Sequence, residues 1–196
     1  MKITFKKVAI ALIILVIISG IIQKRIGSKN TATTPTTGRG STFQSLVGKP
    51  APSFTLSDRS GNTITNDNLK GKKVLLFFNE GLACYPACWN QMLEFNKDER
   101  LKQDDTVILS VVTDSANSWQ QATEKMSDLA TINVAFDKGG ASKDFGATTV
   151  PSTMHEGVPG HSYVIIDKDG VVRWVLDDPK MAINNGEIYA QLSKLQ

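Results

Sequence analysis

Val74-Leu-Leu-Phe-Phe78, then Asn79-Glu-Gly-Leu-Ala83, then Cys84-Tyr-Pro-Ala-Cys88 run on without interruption in this 196-residue chain, and they decide its fold. Five consecutive apolar residues read as a strand buried on both faces, because a half-exposed strand would alternate. Asn79 to Ala83 reads as a loop, and the pattern after it predicts a helix from about Cys84 to Lys102. Pro86 suits the first turn of such a helix, where its missing N–H costs nothing. A cysteine just past a buried strand and at a helix start meets free backbone N–H groups and the helix dipole, which stabilise a thiolate. The chain has only two cysteines. Too few and too close for a disulfide scaffold, they read as a redox or metal pair.

Working outward, Phe54-Thr-Leu56, the turn Asp58-Arg-Ser-Gly61 and Thr63-Ile-Thr65 predict a short hairpin ahead of the buried strand. Asn68 to Lys72 closes a helical turn. Beyond the cysteines, Val107 to Thr113 reads as a second central strand, and Asp114 to Asn117 as the cap of a helix reaching about Met126. A short strand over Ile132 to Phe136 and a short helix over Ser142 to Phe145 come next. Tyr163 to Ile166, the turn Asp167-Lys-Asp-Gly170 and Val171 to Leu176 form a second hairpin, and Asn185 caps a last helix to Leu195. The expected class is α/β, a central mixed sheet flanked by helices with an N-terminal β-hairpin.

The formal charge of +3 is unevenly spread. Residues 1–45 hold seven bases (Lys2, Lys6, Lys7, Lys24, Arg25, Lys29, Arg39) and no acid, leaving 15 bases (22 less 7) against 19 acids. The rest of the chain is therefore acidic on balance, with no basic patch to argue for nucleic acid. Val8 to Ile22 is an uncharged run between Lys6-Lys7 and Lys24-Arg25. As a helix it spans roughly 22 Å, and flanking bases snorkel to cover the rest of a bilayer core of roughly 30 Å. A cleaved signal peptide is the alternative, but no small-x-small cleavage site comes cleanly after the run. Residues 1–26 are thus expected to be a single transmembrane helix that anchors the protein and exports the remainder of the chain. Residues 27–45, rich in Ser, Thr, Gly and Pro, are expected to be a flexible tether, and residues 46–196 the folded domain.

The ordered segments Gly48-Lys-Pro-Ala-Pro-Ser-Phe-Thr-Leu56, Gly61, Leu69-Lys-Gly-Lys-Lys-Val-Leu-Leu-Phe-Phe78, the cysteines, and Tyr163-Val-Ile-Ile-Asp-Lys-Asp-Gly170 resemble the redoxin branch of the thioredoxin superfamily. That branch holds the peroxiredoxin-like alkyl hydroperoxide reductase–thiol-specific antioxidant proteins, the membrane-tethered thioredoxins of cytochrome maturation and the Sco-type copper proteins. The resemblance covers nearly all of residues 46–196 and implies a thioredoxin-like fold. There are departures. Peroxiredoxins carry Pro-x-x-x-Thr/Ser-x-x-Cys, which neither cysteine fits, and an active-site arginine where this chain has His161. Thioredoxin-type members have Cys-x-x-Cys, whereas Cys84 and Cys88 are spaced Cys-x-x-x-Cys, as in the Sco group, whose copper histidine lies near the position of His161.

The resemblance implies a thiol–disulfide oxidoreductase or thiol peroxidase, with a thiol or disulfide donor protein or a peroxide as partner and no cofactor. Cys84 is expected to attack and Cys88 to resolve the mixed disulfide or sulfenic acid. His161 is expected to face the cysteines as a proton shuttle, with a hydrogen-bonded surface histidine as the plain alternative. Two other classes stand beside the enzyme: a copper site built from Cys84, Cys88 and His161, since thiolate and imidazole suit copper, and an interaction module in which the pair is a structural bond. Trp89 is expected to pack in the core, and Glu80 to be solvated. Thr148 to Gly160, with His155, is expected to form a lid in which Pro159 stands near the place of the family's active-site cis proline.

Overall fold

The computed structural model describes residues 41–195. The anchor expected over residues 1–26 and the tether as far as residue 40 lie outside the described residues. Among the described residues, no helix is long and apolar enough to cross a membrane. One helical turn, α1 (Ser41–Gln44), opens the described chain. Its Phe43 is fully buried in the core, so packing reaches back into the stretch expected to be tether.

Seven strands form one mixed sheet. They are β1 (Thr55–Ser57), β2 (Thr63–Thr65), β3 (Lys73–Phe78), β4 (Thr106–Val112), β5 (Val134–Phe136), β6 (Ser162–Ile166) and β7 (Val172–Asp177), in the order β2-β1-β5-β4-β3-β6-β7. β3 runs parallel to β4 and antiparallel to β6, with Phe77 opposite Tyr163 and Phe78 opposite Ser162. Every residue of β3 is buried, as its apolar run predicts.

The two-residue period of a strand sorts these side chains. Val74, Leu76 and Phe78 enter one core cluster with Phe43, Phe54 and Phe145, the last coming just after the short helix α4 (Ala141–Asp144). Leu75 and Phe77 enter the other, with both cysteines. Three helices cover that second face: α2 (Ala87–Lys97), α3 (Ala116–Lys125) and α5 (Asn185–Leu192). They contribute Met92, Phe95, Trp119, Ile188 and Leu192. Phe77 is edge-on to Phe95, with ring centroids 5.7 Å apart, and stacks on Tyr163 at 4.7 Å. Phe77→Ala would remove that support at a cost of roughly 3–5 kcal/mol.

Both hairpins stand where the sequence places them. The longer helices are shorter than expected, while the short one keeps its four residues, shifted by one. α2 begins at Ala87 rather than Cys84 and ends at Lys97 rather than Lys102. Asp98 stops it by accepting the Arg100 N–H and opening a 3-10 turn over Glu99–Leu101. The cap of α3 is Ser115, whose hydroxyl accepts the Ser118 N–H at 3.0 Å. α5 ends at Leu192, before Leu195.

Candidate active site

The C-terminal end of β3 delivers the chain into Asn79, Glu80 and a 3-10 turn, Gly81–Ala83. Gly81 has φ +58°, and a Cβ there would fall 1.7 Å from Asp114 Oδ2. That same oxygen accepts the Leu82 N–H at 3.1 Å, so glycine is what lets the turn close on the end of β4. Cys84 caps the turn, its N–H donating to the Gly81 carbonyl at 3.2 Å.

Cys84 does not lie at the start of the helix, a correction to the expectation from sequence. The residue before a proline is driven out of the α region, so Tyr85 breaks any helix begun at Cys84. The Tyr85–Pro86 peptide is cis, and α2 starts only after it. Cys88, in the first turn of α2, takes the position expected for Cys84. The two sulfurs are joined in a disulfide, with Cα atoms 5.4 Å apart, and the Cys88 N–H donates to the Cys84 carbonyl at 3.0 Å.

His161 is 1 % exposed and faces the pair from the residue before β6, as expected; it is not a surface histidine. Its Nδ1 lies 3.4 Å from Cys88 Sγ, and its Nε2 lies 2.7 Å from the Tyr163 hydroxyl. The edge of Phe77 closes one side, at 4.7 Å between ring centroids. Burial drives the imidazole down to a pKa of about 4, against the opposing pull of Asp178 and the Ala182 backbone. His161 is therefore neutral at neutral pH. Burial likewise pushes the Tyr163 hydroxyl up, away from ionisation.

Behind His161 lies a polar network that the sequence did not disclose. The Tyr163 hydroxyl donates to Gln91 Oε1 at 3.1 Å, and the Asn184 backbone N–H donates to the same oxygen at 2.7 Å. Gln91 Nε2 donates to Asn185 Oδ1 at 2.8 Å, and Asn185 Nδ2 donates to the Glu94 carbonyl at 2.9 Å. Asn184 Nδ2 reaches Asp178 Oδ2 at 2.8 Å and the Tyr163 oxygen at 3.3 Å. One signal was available. Cys88, Gln91 and Phe95 share a helix face by spacing, so a glutamine there implied a buried partner.

Glu80 corrects the expectation of a solvated side chain. Its side chain is 1 % exposed. Oε1 accepts the N–H groups of Met154 and His155 at 2.7 and 3.0 Å, and Oε2 meets His155 Nδ1 at 2.7 Å. The carboxylate thus fastens the loop carrying His155 to the end of β3. Pro159 does not take the cis role, since the cis peptide among the described residues is Tyr85–Pro86. Trp89 packs in the core as expected, donating Nε1–H to the Gly81 carbonyl at 3.0 Å.

The ligand atoms of Cys84, Cys88 and His161 lie within 4.8 Å of one another. Soft sulfur and imidazole donors are the set that suits copper, but sulfurs bonded to each other offer no thiolate. The arrangement as it stands is fitted to disulfide chemistry.

Residues 47–175 match the AhpC/TSA family, and the chain belongs to that family. It is accordingly a thiol-dependent peroxidase or oxidoreductase. It is similar to the chloroplastic peroxiredoxin Q of Oryza sativa subsp. japonica, 28% identical over 167 residues that cover 79% of this chain and 74% of that one. It is also similar to the thiol-disulfide oxidoreductase ResA of Bacillus thuringiensis subsp. konkukian, 32% identical over 128 residues, or 64% of this chain and 66% of that one. Among solved structures, a peroxiredoxin-like protein from Aquifex aeolicus shares the fold, with a TM-score of 0.65 at 19% identity over 76% of this chain and 87% of that one.

Proposed function

We propose that this protein is a thiol–disulfide oxidoreductase that cycles Cys84 and Cys88 between dithiol and disulfide, with His161 as proton acceptor beside Cys88. The observation that carries this reading is the closed pair itself, buried against a neutral imidazole at 3.4 Å. A thiolate of the partner attacks Cys84 Sγ, the Cys84–Cys88 bond breaks, and Cys88 leaves with the electron pair and takes up a proton. A second partner thiol then displaces Cys84, so two electrons and two protons pass from partner to pair. The reverse sequence oxidises a partner dithiol.

Exchange with a protein thiol is favoured over peroxide reduction by where the arginines are. Among the described residues, Arg59 bonds the Leu129 and Ile132 carbonyls, Arg100 pairs with Asp98, and Arg173 pairs with Asp167. None of these partners belongs to the cysteine site, and His161 stands where peroxiredoxins place an arginine. The donor set of Cys84, Cys88 and His161 gives a second reading, copper held by the reduced pair, carried by the convergence of three ligand atoms within 4.8 Å. Residues 1–26 are proposed to anchor the domain to a membrane, outside the cytoplasm. Support for this is the uncharged run Val8 to Ile22 between basic flanks.

The test is turnover by the purified chain, comparing a protein disulfide with hydrogen peroxide as the electron acceptor for the reduced pair. Faster oxidation by the disulfide supports exchange. Faster oxidation by peroxide makes the protein a peroxidase, and stoichiometric copper binding without turnover of either makes it a metal carrier.

A further inference from the structure

The hydrogen bonds behind His161 run in one direction, and that direction reaches Cys88. Two ends of the network are chemically unambiguous. The Asn184 backbone N–H can only donate, so the Gln91 atom that it meets at 2.7 Å is the carbonyl oxygen. The Glu94 carbonyl can only accept, so the Asn185 atom at 2.9 Å from it is the amide nitrogen. Asn185 Oδ1 then faces Gln91 Nε2 at 2.8 Å, and both amides are fixed. Asn184 Nδ2 also meets Asp178 Oδ2 and the Ala182 carbonyl, both acceptors, so it is the amide nitrogen and cannot accept the Tyr163 hydroxyl hydrogen; its two N–H groups are shared among these two oxygens and the Tyr163 oxygen. The Tyr163 hydroxyl hydrogen goes to Gln91 Oε1 at 3.1 Å. Its oxygen is left to accept, and His161 Nε2 at 2.7 Å must donate. The other tautomer would surrender the Tyr163–Gln91 bond and aim an N–H at a disulfide sulfur, a weak acceptor.

We infer that Gln91 and Tyr163 lock His161 as the Nε2–H tautomer, so that a bare Nδ1 lone pair faces Cys88. This rests on the exchange reading and deepens it. In the reduced protein, the Cys88 S–H donates to Nδ1, and Cys88 waits as a thiol while Cys84 is the free nucleophile. When Cys84 is joined to a partner sulfur, Cys88 gives its proton to Nδ1 and its electron pair to Cys84 Sγ. The Cys84–Cys88 bond forms, the Cys84–partner bond breaks, and the partner sulfur leaves as a thiolate. The imidazolium then returns its proton to that thiolate or to water. Gln91 neither gains nor loses a proton, so the network clamps the tautomer and conducts nothing. Gln91 and Tyr163 are positioning residues; only His161 touches the reacting sulfur.

The full chain has two histidines, and His155 and His161 differ in burial, which makes a histidine-labelled NMR spectrum readable. The expected spectrum of the reduced wild type shows His161 protonated at Nε2. Gln91→Met removes the acceptor of the Tyr163 hydroxyl, frees that hydrogen for Nε2, and moves His161 to Nδ1–H. Tyr163→Phe removes the acceptor of Nε2–H and gives a tautomer mixture, a second route if the first variant does not fold. With a small aromatic disulfide as the oxidant, closure onto Cys88 slows at least about tenfold in either variant, within the range of lost general-base catalysis. The preceding attack by Cys84 on the probe slows far less. A wild-type His161 protonated at Nδ1, or folded variants that keep both the Nε2–H signal and the wild-type closure rate, would overturn the clamp. Failure of the reduced wild type to react with the probe would instead sink the exchange reading, and the spectrum would still decide the tautomer.

Discussion

Cys84 caps a 3-10 turn and is 3 % exposed, next to Tyr85 at 66 %, whereas Cys88 lies in the first turn of a helix and is wholly buried against His161. One bond therefore joins two unlike halves. The Cys84 half is made of chain that has just left the sheet, pinned by Asp114, Trp89 and Glu80. The Cys88 half is made of His161, Tyr163, Gln91, Asn184 and Asn185, which bond to one another, to Asp178 and to the Ala182 and Glu94 carbonyls. On the proposed exchange reading, the contrast would let one disulfide separate entry from closure. A partner would reach the sulfur of Cys84, itself 3 % exposed, past the exposed Tyr85, and the proton would be managed at Cys88, which is wholly buried.

The largest effects should come from the cysteines. Cys84→Ser is expected to abolish mixed-disulfide formation, and Cys88→Ser to trap a partner on Cys84, both read by intact mass spectrometry of the quenched protein. Trapping on Cys88 in the Cys84→Ser protein, with none in the reciprocal variant, would reverse the two halves.

Acid should attack the Cys88 half. Burial holds His161 near a pKa of about 4 when folded, against an ordinary value of 6.5. Between those values the unfolded chain binds a proton that the folded one refuses, so stability falls as pH falls from about 6.5 to about 4. Above that window, neither state binds it and this contribution is flat. The loss is roughly 3 kcal/mol across the window, measured by denaturant titration, and His161→Phe should remove it. An equal slope in that variant would mean another group is responsible.

His161→Ala is expected to slow disulfide closure by roughly 10²-fold, the low end for general acid–base catalysis. Loss of copper binding with unchanged closure would instead promote the metal reading. Glu80→Gln sharpens the other half. The neutral amide turns charge-assisted bonds to Met154 and His155 into ordinary ones, at a cost of about 2 kcal/mol. Faster hydrogen exchange at those two amides, with the closure rate intact, is the expected readout. Smallest is Trp89→Phe, which deletes one bond to Gly81 for about 1 kcal/mol in thermal unfolding.

What the sequence could disclose divides along the same line. β3 was legible because Val74 to Phe78 carries no polar residue, and the β6–β7 hairpin because Asp167-Lys-Asp-Gly170 spells a turn. His161 was found only through its offset from Asp167 in the family resemblance. Local chemistry misled at Cys84, where Pro86 forbids helix at Tyr85 and outweighs the apolar pattern after it. Glu80 was not legible, and Gln91 only through the helix face that it shares with Cys88 and Phe95. The donors on Glu80 lie 74 and 75 residues away, and the partners of Gln91 in the C-terminal segment lie 93 and 94 away. A polar side chain satisfied across such distances looks in sequence like one satisfied by water.

The two cysteines are only 4 positions apart. A ring that small removes little freedom from the unfolded chain, about 2 kcal/mol by loop entropy against about 4.7 for a loop of roughly 100 residues. Breaking the bond should therefore lower the melting temperature by roughly 4–8 °C. On the proposed exchange reading, the domain is accordingly expected to stay folded through the cycle. A partner that tells the two forms apart has to read them at the disulfide itself.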